Sequence, residues 1–422
     1  MRCARLPAVV ATLTLLLTAV PAQATPHASR CDADARVLYW FEVAADIFAD
    51  VPGPFAGFLS RHFERKAERA ALRYADRCVH LNQVQVLGSH NSYHIEPAPE
   101  LIDIYLLFDS SAFELRYTHR PLDQQFGELG VRQIELDVFA DPDGGLYAEP
   151  VGLKIREQDF TLRIPELDPP GTKVLHIQDL DWETTCQFFV ECLGVVKAWS
   201  DANPTHLPVM ILVETKEEIA PDPLNLGFAI PIEFMGPEFD TLDEEIRSVF
   251  PPGQLITPDD VRGNFATLRE AVLTRGWPSL GESRGKVLFA LDNAGKRFIY
   301  QDGHPSLEGR VMFVDAEDDE DAAAFVKMNG PLGNEAAIQD LVSQGFIVRT
   351  RSDAGTVEAL ADDPTRREAA LGSGAQYVST DYEEPDPRPE FNDFVVSIPD
   401  GEPGRCNPVN APPGCRNFAL ER

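Results

Sequence analysis

Four short apolar runs of this chain end in residues that can bind a cation or move a proton. Val84 to Leu87 is followed by Gly88-Ser89-His90-Asn91-Ser92-Tyr93-His94, and Val131 to Val138 contains Glu135-Leu136-Asp137. Lys173 to Ile177 contains His176 and leads into Gln178-Asp179, and Val209 to Val213 is followed by Glu214-Thr215-Lys216. Side chains at i and i+2 of a strand share a face, so Glu135 projects beside Asp137 and Glu214 beside Lys216. Carboxylates gathered away from water repel one another and lose hydration unless a cation compensates. The oxygen donors Asn91, Glu135, Asp137 and Glu214 suit Ca2+ or Mg2+ and not zinc. The competing reading pairs Glu135 and Asp137 with a cationic side chain such as Lys216. His90 and His176 flank the cluster as an acid/base pair near neutral pH. A cation, two histidines and Lys216 suit cleavage of a phosphodiester, in which charge grows on the non-bridging oxygens. Arg349 and Arg351 share a strand face and are candidates for a headgroup contact or for an interior salt bridge.

Such residues need strands to hold them. Eight runs read as β: Val84 to Leu87, Val131 to Val138, Lys173 to Ile177, Val209 to Val213, Lys286 to Leu291, Val311 to Val314, Phe346 to Thr350 and Gln376 to Ser379. Most are continuously apolar, as parallel strands covered on both sides are. Helical patterns such as Glu335 to Ser343, stopped by Gly345, lie between them. This α/β alternation predicts a TIM-type (β/α)8 barrel, whose reactive groups gather at the carboxyl ends of the strands.

The 422 residues carry 37 Lys and Arg against 68 Asp and Glu, a net charge of -31. That balance repels a phosphate backbone and excludes a nucleic-acid partner. Arg2, Arg5, the apolar run Ala8 to Val20 and Ala22-Gln23-Ala24 make residues 1–24 a secretory signal peptide, so the protein is expected to be secreted or periplasmic. Beyond it remain Cys31, Cys78, Cys186, Cys192, Cys406 and Cys415, and the simplest disulfide scheme pairs sequence neighbours. The expected organisation is a helical extension over 25–80, a barrel over 81–385 with an insertion at 217–285 above one face, and a Pro-rich, disulfide-clipped surface tail over 386–422. Tyr39-Trp40-Phe41 in the extension reads as a buried helix face.

Together His90-Asn91-Ser92-Tyr93, Arg132 to Val138, Leu175 to Asp181, Trp199 to Pro204 and Leu212 to Lys216 resemble the secreted calcium-dependent phosphoinositide phospholipase C family of PLC-like phosphodiesterase barrels. The resemblance spans roughly residues 81 to 385. It implies catalytic roles for His90 and His176, Ca2+ ligation by Asn91, Glu135, Asp137 and Glu214, and a phosphate contact at Lys216. It further implies attack of the inositol 2-hydroxyl on phosphorus to give a cyclic inositol phosphate, on a phospholipid met by transient contact with a membrane surface. Ile177-Gln178-Asp179-Leu180-Asp181 departs from the His-Gly run of the eukaryotic enzymes, and no PH or C2 module is evident. A soluble glycerophosphodiester, phospholipase D-like headgroup removal, or a non-catalytic secreted Ca2+-binding protein are the alternatives.

Other motifs read as structural. Gly281-Glu282-Ser283-Arg284-Gly285 matches a nucleophile elbow in letters, but the strand follows it instead of preceding it. Asp315 to Asp321 reads as a solvated loop and Asp141-Pro142-Asp143-Gly144-Gly145 as a turn.

Overall fold

The computed structural model describes residues 26–107, 109–222, 225–399 and 403–422, so the expected signal peptide lies outside the described residues. Eight parallel strands close on themselves: β1 (Val84–Ser89), β2 (Gln133–Phe139), β4 (Val209–Thr215), β5 (Val287–Leu291), β6 (Met312–Val314), β7 (Phe325–Lys327), β8 (Ile347–Arg351) and β9 (Tyr377–Thr380). A single parallel bridge, Asp315 to Phe325, joins β6 to β7, and β9 pairs with β1. The fold is a TIM-type barrel with helices around it. Nearly every strand residue is buried, which accounts for the continuous Val, Ile, Leu and Phe. Helix Glu335–Gln344 ends on Gly345 at φ 108°, a left-handed cap that glycine adopts without strain.

One of the eight expected strands is not a stave. β3 (Lys173–Val174) pairs antiparallel with the end of β2, while β2 and β4 pair directly along six residues. The stave not anticipated is β7, only three residues long, with a burial pattern too brief to read as a period.

Two further expectations are corrected. The 386–422 segment is no mere surface tail: β10 (Gly404–Cys406) pairs antiparallel with β1, and Phe391, Phe394, Val396, Ile398 and Leu420 enter the main core. Residues 217–285 do more than sit over one face, where Ala229 and Ile232 meet the loops past β2 and β3. They descend the barrel wall, burying Phe239, Leu242 and Ile246 of helix Gly236–Val249, and reach the N-terminal end, where Gly281 packs on Asp76.

The N-terminal helices Pro26–Ala49 and Pro54–Cys78 form a hairpin closed by Cys31–Cys78. Trp40 and Phe48 pack on Phe63 at 5.5 and 5.6 Å between ring centres, while Tyr39 stays exposed. The remaining disulfides are Cys186–Cys192 and Cys406–Cys415. Closing a 47-residue separation as Cys31–Cys78 does removes about 4 kcal/mol of unfolded-chain entropy on the loop-closure account. No helix among the described residues is long and apolar enough to cross a membrane.

Inside the barrel, Gly88 of β1 lies level with Gln133 of β2 and Ser379 of β9. A Cβ at Gly88 would stand 1.9 Å from Gln133 Oε1, which Ser379 Oγ holds at 2.5 Å. Gly88→Ala is therefore expected to cost about 1–3 kcal/mol of overpacking, measured as a lowered urea midpoint with unchanged m-value.

Candidate active site

The loop after β1 is fixed before it is functional. Ser89 Oγ donates to Ser92 Oγ at 2.6 Å, Ser92 Oγ accepts the Glu135 N–H at 2.8 Å, and Gln125 Nε2 donates to the Ser92 carbonyl at 2.7 Å. These bonds tie the loop to β2 and bring His90 and Asn91 over the barrel mouth. Asn91 sits at φ 45°, a left-handed position that asparagine tolerates. Its Nδ2 donates to Tyr117 Oη at 3.0 Å, and its buried Oδ1 has no hydrogen-bond partner among the described residues.

His90 Nδ1 donates to Asp381 Oδ1 at 2.7 Å, and its Nε2 accepts from Arg351 Nη1 at 3.1 Å. Burial, joined by the Arg351 cation, lowers its pKa to about 3 against the opposing pull of Asp381. His90 is thus neutral, with the Nε2 lone pair engaged by Arg351. Burial alone would raise Asp381, but His90 and Arg351 outweigh it and hold the carboxylate below its usual range.

His176 arrives from a different element than expected. It follows β3 into a tight turn in which the Ile177 and Asp181 backbones bond each other at 3.0 and 2.9 Å. Asp179 anchors that turn by accepting the Val151 N–H at 2.9 Å and the Ala229 N–H at 2.6 Å. His176 Nδ1 donates to Asp181 Oδ2 at 2.8 Å, and the same oxygen receives His94 Nε2 at 2.9 Å. Burial lowers the His176 pKa, opposed by Asp181. His90, Asn91, His176, Tyr117 and Arg351 line one cleft of about 180 Å³.

Beneath the cleft lie the carboxylates. The register places Asp137 of β2 beside Glu214 of β4, and the next position, after β5, is Asp292. One carboxylate oxygen from each of Glu135, Glu214 and Asp292 lies within 4.8 Å of the others. Burial raises the Glu135 pKa to about 7, Arg349 opposing it, and burial with Glu214 repulsion raises Asp137 well above its usual range. Each acid also meets a base: Glu135 meets Arg349, Asp292 Oδ2 meets Lys327 Nζ at 2.5 Å, and Lys216 Nζ is 3.4 Å from both Asp137 and Glu214. Glu135 and Asp137 thus each face a cationic side chain, as the ion-pair reading of the sequence expects. The donors nonetheless fit a hard cation: all are oxygens, and Asn91 Oδ1, both Asp137 oxygens and Asp292 Oδ1 are buried without hydrogen bonds among the described residues.

Arg351 reaches the cleft, but Arg349 does not. It is fully buried, bonding Glu135, Asn329 Oδ1 at 2.6 Å and Ser379 Oγ at 2.9 Å, which is the interior salt bridge and not a headgroup contact. Arg132 and Trp199 of the resembling segments are structural, the guanidinium lying 4.7 Å from the indole and bonding Glu421. Asp141 pairs with buried Lys173 at 3.0 Å.

Sequence reading missed four groups. Asp381 follows β9 and Asp292 follows β5, both strand-end acids of the kind that flagged Glu214. Asp181 and His119 carry no such signal. His119 bridges Glu383 and the His90 carbonyl, both at 2.7 Å, and so steadies the loop from behind.

The family described as Ca2+-dependent phosphoinositide phospholipase C matches residues 79–408. Among solved structures, the chain is similar to the calcium-dependent phosphoinositol-specific phospholipase C of a Gram-negative bacterium, Pseudomonas sp., at 16% identity over 79% of this chain and 96% of that one, TM-score 0.47. The myo-inositol complex of that enzyme gives the same values. The Ca2+-dependent phosphatidylinositol-specific phospholipase C of Streptomyces antibioticus is 18% identical over 77% of this chain and 100% of that one, TM-score 0.45. No curated protein matches the sequence.

The depressed His90 pKa has a pH consequence. The unfolded chain takes up a proton near the ordinary histidine value while the folded chain does not, so this group's contribution to stability is present at neutral pH and lost as pH falls. Between about pH 7 and about pH 5 the wild type should lose about 2 kcal/mol more than His90→Asn. Urea unfolding in EDTA at the two pH values measures the difference, and equal losses would refute it.

Proposed function

The chain belongs to the Ca2+-dependent phosphoinositide phospholipase C family, phosphoric diester hydrolases, and from that premise we propose that it is an exported enzyme that cleaves the glycerol–phosphate bond of inositol phospholipids. The observation that carries the chemistry is that His90 and His176 line one cleft, each with Nδ1 on its own aspartate. Two histidines oriented through Nδ1 by aspartates suit paired base and acid catalysis, His90 Nε2 becoming available once Arg351 leaves it.

Asn91, Glu135, Asp137 and Glu214 are the residues to hold Ca2+, which when bound supplies charge neutralisation at the phosphate and acidifies the inositol 2-hydroxyl. His90 Nε2 takes the 2-hydroxyl proton as that oxygen bonds to phosphorus. Asp381 stabilises the imidazolium formed. His176, having taken up a proton against its burial with Asp181 to stabilise the imidazolium, gives that proton to the departing diacylglycerol oxygen as the old P–O bond breaks. Arg351 Nη1, released from His90 Nε2, donates to a non-bridging oxygen, and Lys216 contributes a second cation. The products are diacylglycerol and a cyclic inositol phosphate. Export rests on the signal-like residues 1–24, and three disulfides agree with it.

Incubation of the purified protein with phosphatidylinositol micelles, followed by ³¹P NMR, should give a cyclic inositol phosphate signal with Ca2+ and none with EDTA. Loss of a different diester would move the assignment to a soluble glycerophosphodiester substrate. His90→Ala and His176→Ala should each lower kcat by about 10²–10⁴-fold, whereas wild-type rates in either would overturn the two-histidine mechanism.

A further inference from the structure

Asp292 is the acid at the barrel mouth to which the preceding reading gives no task. It follows β5 directly, its N–H bonding the Val213 carbonyl at 2.8 Å, so it stands beside Glu214 on the next strand. It is more than nine-tenths buried. Its two oxygens differ: Oδ2 is held by Lys327 Nζ at 2.5 Å, while Oδ1 is buried and without a hydrogen bond among the described residues. Its carboxylate also shares the 4.8 Å cluster with Glu135 and Glu214.

A buried carboxylate needs a reason to leave one oxygen unpaired beside two other carboxylates, because that arrangement loses hydration and adds repulsion. Lys327 offsets only part of this. We propose that Asp292 is a fifth protein ligand of the Ca2+ site, offering Oδ1 to the cation while Lys327 holds Oδ2 and so fixes the orientation of the carboxylate. Lys327 is then a positioning residue, the partner that metal-binding carboxylates commonly keep behind them. The inference rests on the cation site proposed above and extends it. With Asp292 the donor set becomes four carboxylates and one amide oxygen. Mg2+ is usually held by one or two carboxylates and keeps several waters, whereas Ca2+ accepts six to eight oxygens, so the fifth ligand favours Ca2+.

Calorimetric titration of the full-length mature protein with CaCl2 tests this without reference to turnover. Asp292→Asn should bind Ca2+ at least fivefold more weakly than the wild type, and a smaller change overturns the inference. Asp137→Asn is titrated in parallel: if it too keeps wild-type affinity, the cation site itself is wrong, and if it alone weakens binding, only the role of Asp292 fails. Thermal unfolding in EDTA shows whether Asp292→Asn folds. Should it not, because Lys327 is left unpaired, the double variant Asp292→Asn/Lys327→Met removes both partners of the pair, and the same fivefold criterion applies to it.

Discussion

Glu135, Asp137, Glu214 and Asp292 are carried to one end of the barrel by three neighbouring strands, and their mutual repulsion is what the surrounding residues must answer. At the 4.8 Å spacing of Glu135, Glu214 and Asp292, each pair of charges repels by about 3 kcal/mol at an effective dielectric near 20. Three such pairs rival the whole stability of a domain, which is about 5–15 kcal/mol. The answering charges come from across the sheet: Arg349 from β8, Lys327 from β7 and Lys216 from beyond β4. Glu135 with Arg349 and Asp292 with Lys327 thus bind staves that no backbone pairing joins directly.

The same constraint shapes the histidines. A neutral His90 leaves Asp381 as a net negative charge, and Arg351 takes that charge at 2.8 Å while also bonding Nε2. Because Arg351 occupies the lone pair that a base needs, the proposed reaction requires it to yield, and a phosphate oxygen is an acceptor able to draw it away. His176 has no such guard. Asp181 instead serves two imidazoles at once, His176 and His94, which fixes the ring without closing Nε2.

What was legible in the sequence follows from this geometry. Glu135, Asp137 and Glu214 announced themselves because strand parity and strand ends are local properties, and Cys186 with Cys192 because neighbours in sequence close short loops easily. The barrel was readable from continuous apolar runs. β7 was not, since three residues carry no period, and β3 imitated a stave because its two residues continue into Leu175, His176 and Ile177 with the same apolar bias. Arg349 was ambiguous for a physical reason: parity says which way a side chain points but not how far the opposite wall lies, and here Glu135 is within reach. Asp181, Asp381 and His119 act only through partners more than four residues away in sequence, five for Asp181 with His176 and far more for the others, so only closure of the barrel reveals them.

Charge accounting also bears on how so acidic a chain would address the anionic diester proposed as its substrate. Around the cleft, Glu135, Asp137, Glu214, Asp292, Asp353 and Asp381 face Arg349, Arg351, Lys216 and Lys327. Carboxylates outnumber cations here even as burial lifts Glu135 and Asp137 toward protonation, and the net charge of -31 adds long-range repulsion. A phosphodiester entering such a site would meet the wrong sign of field. A divalent cation held among these carboxylates, as proposed above, would offset the excess and leave Arg351 and Lys216 to bind phosphate instead of balancing acids. A divalent-cation requirement of the proposed reaction would follow from this excess of acids, since the lysines and arginines at the mouth are already paired with carboxylates.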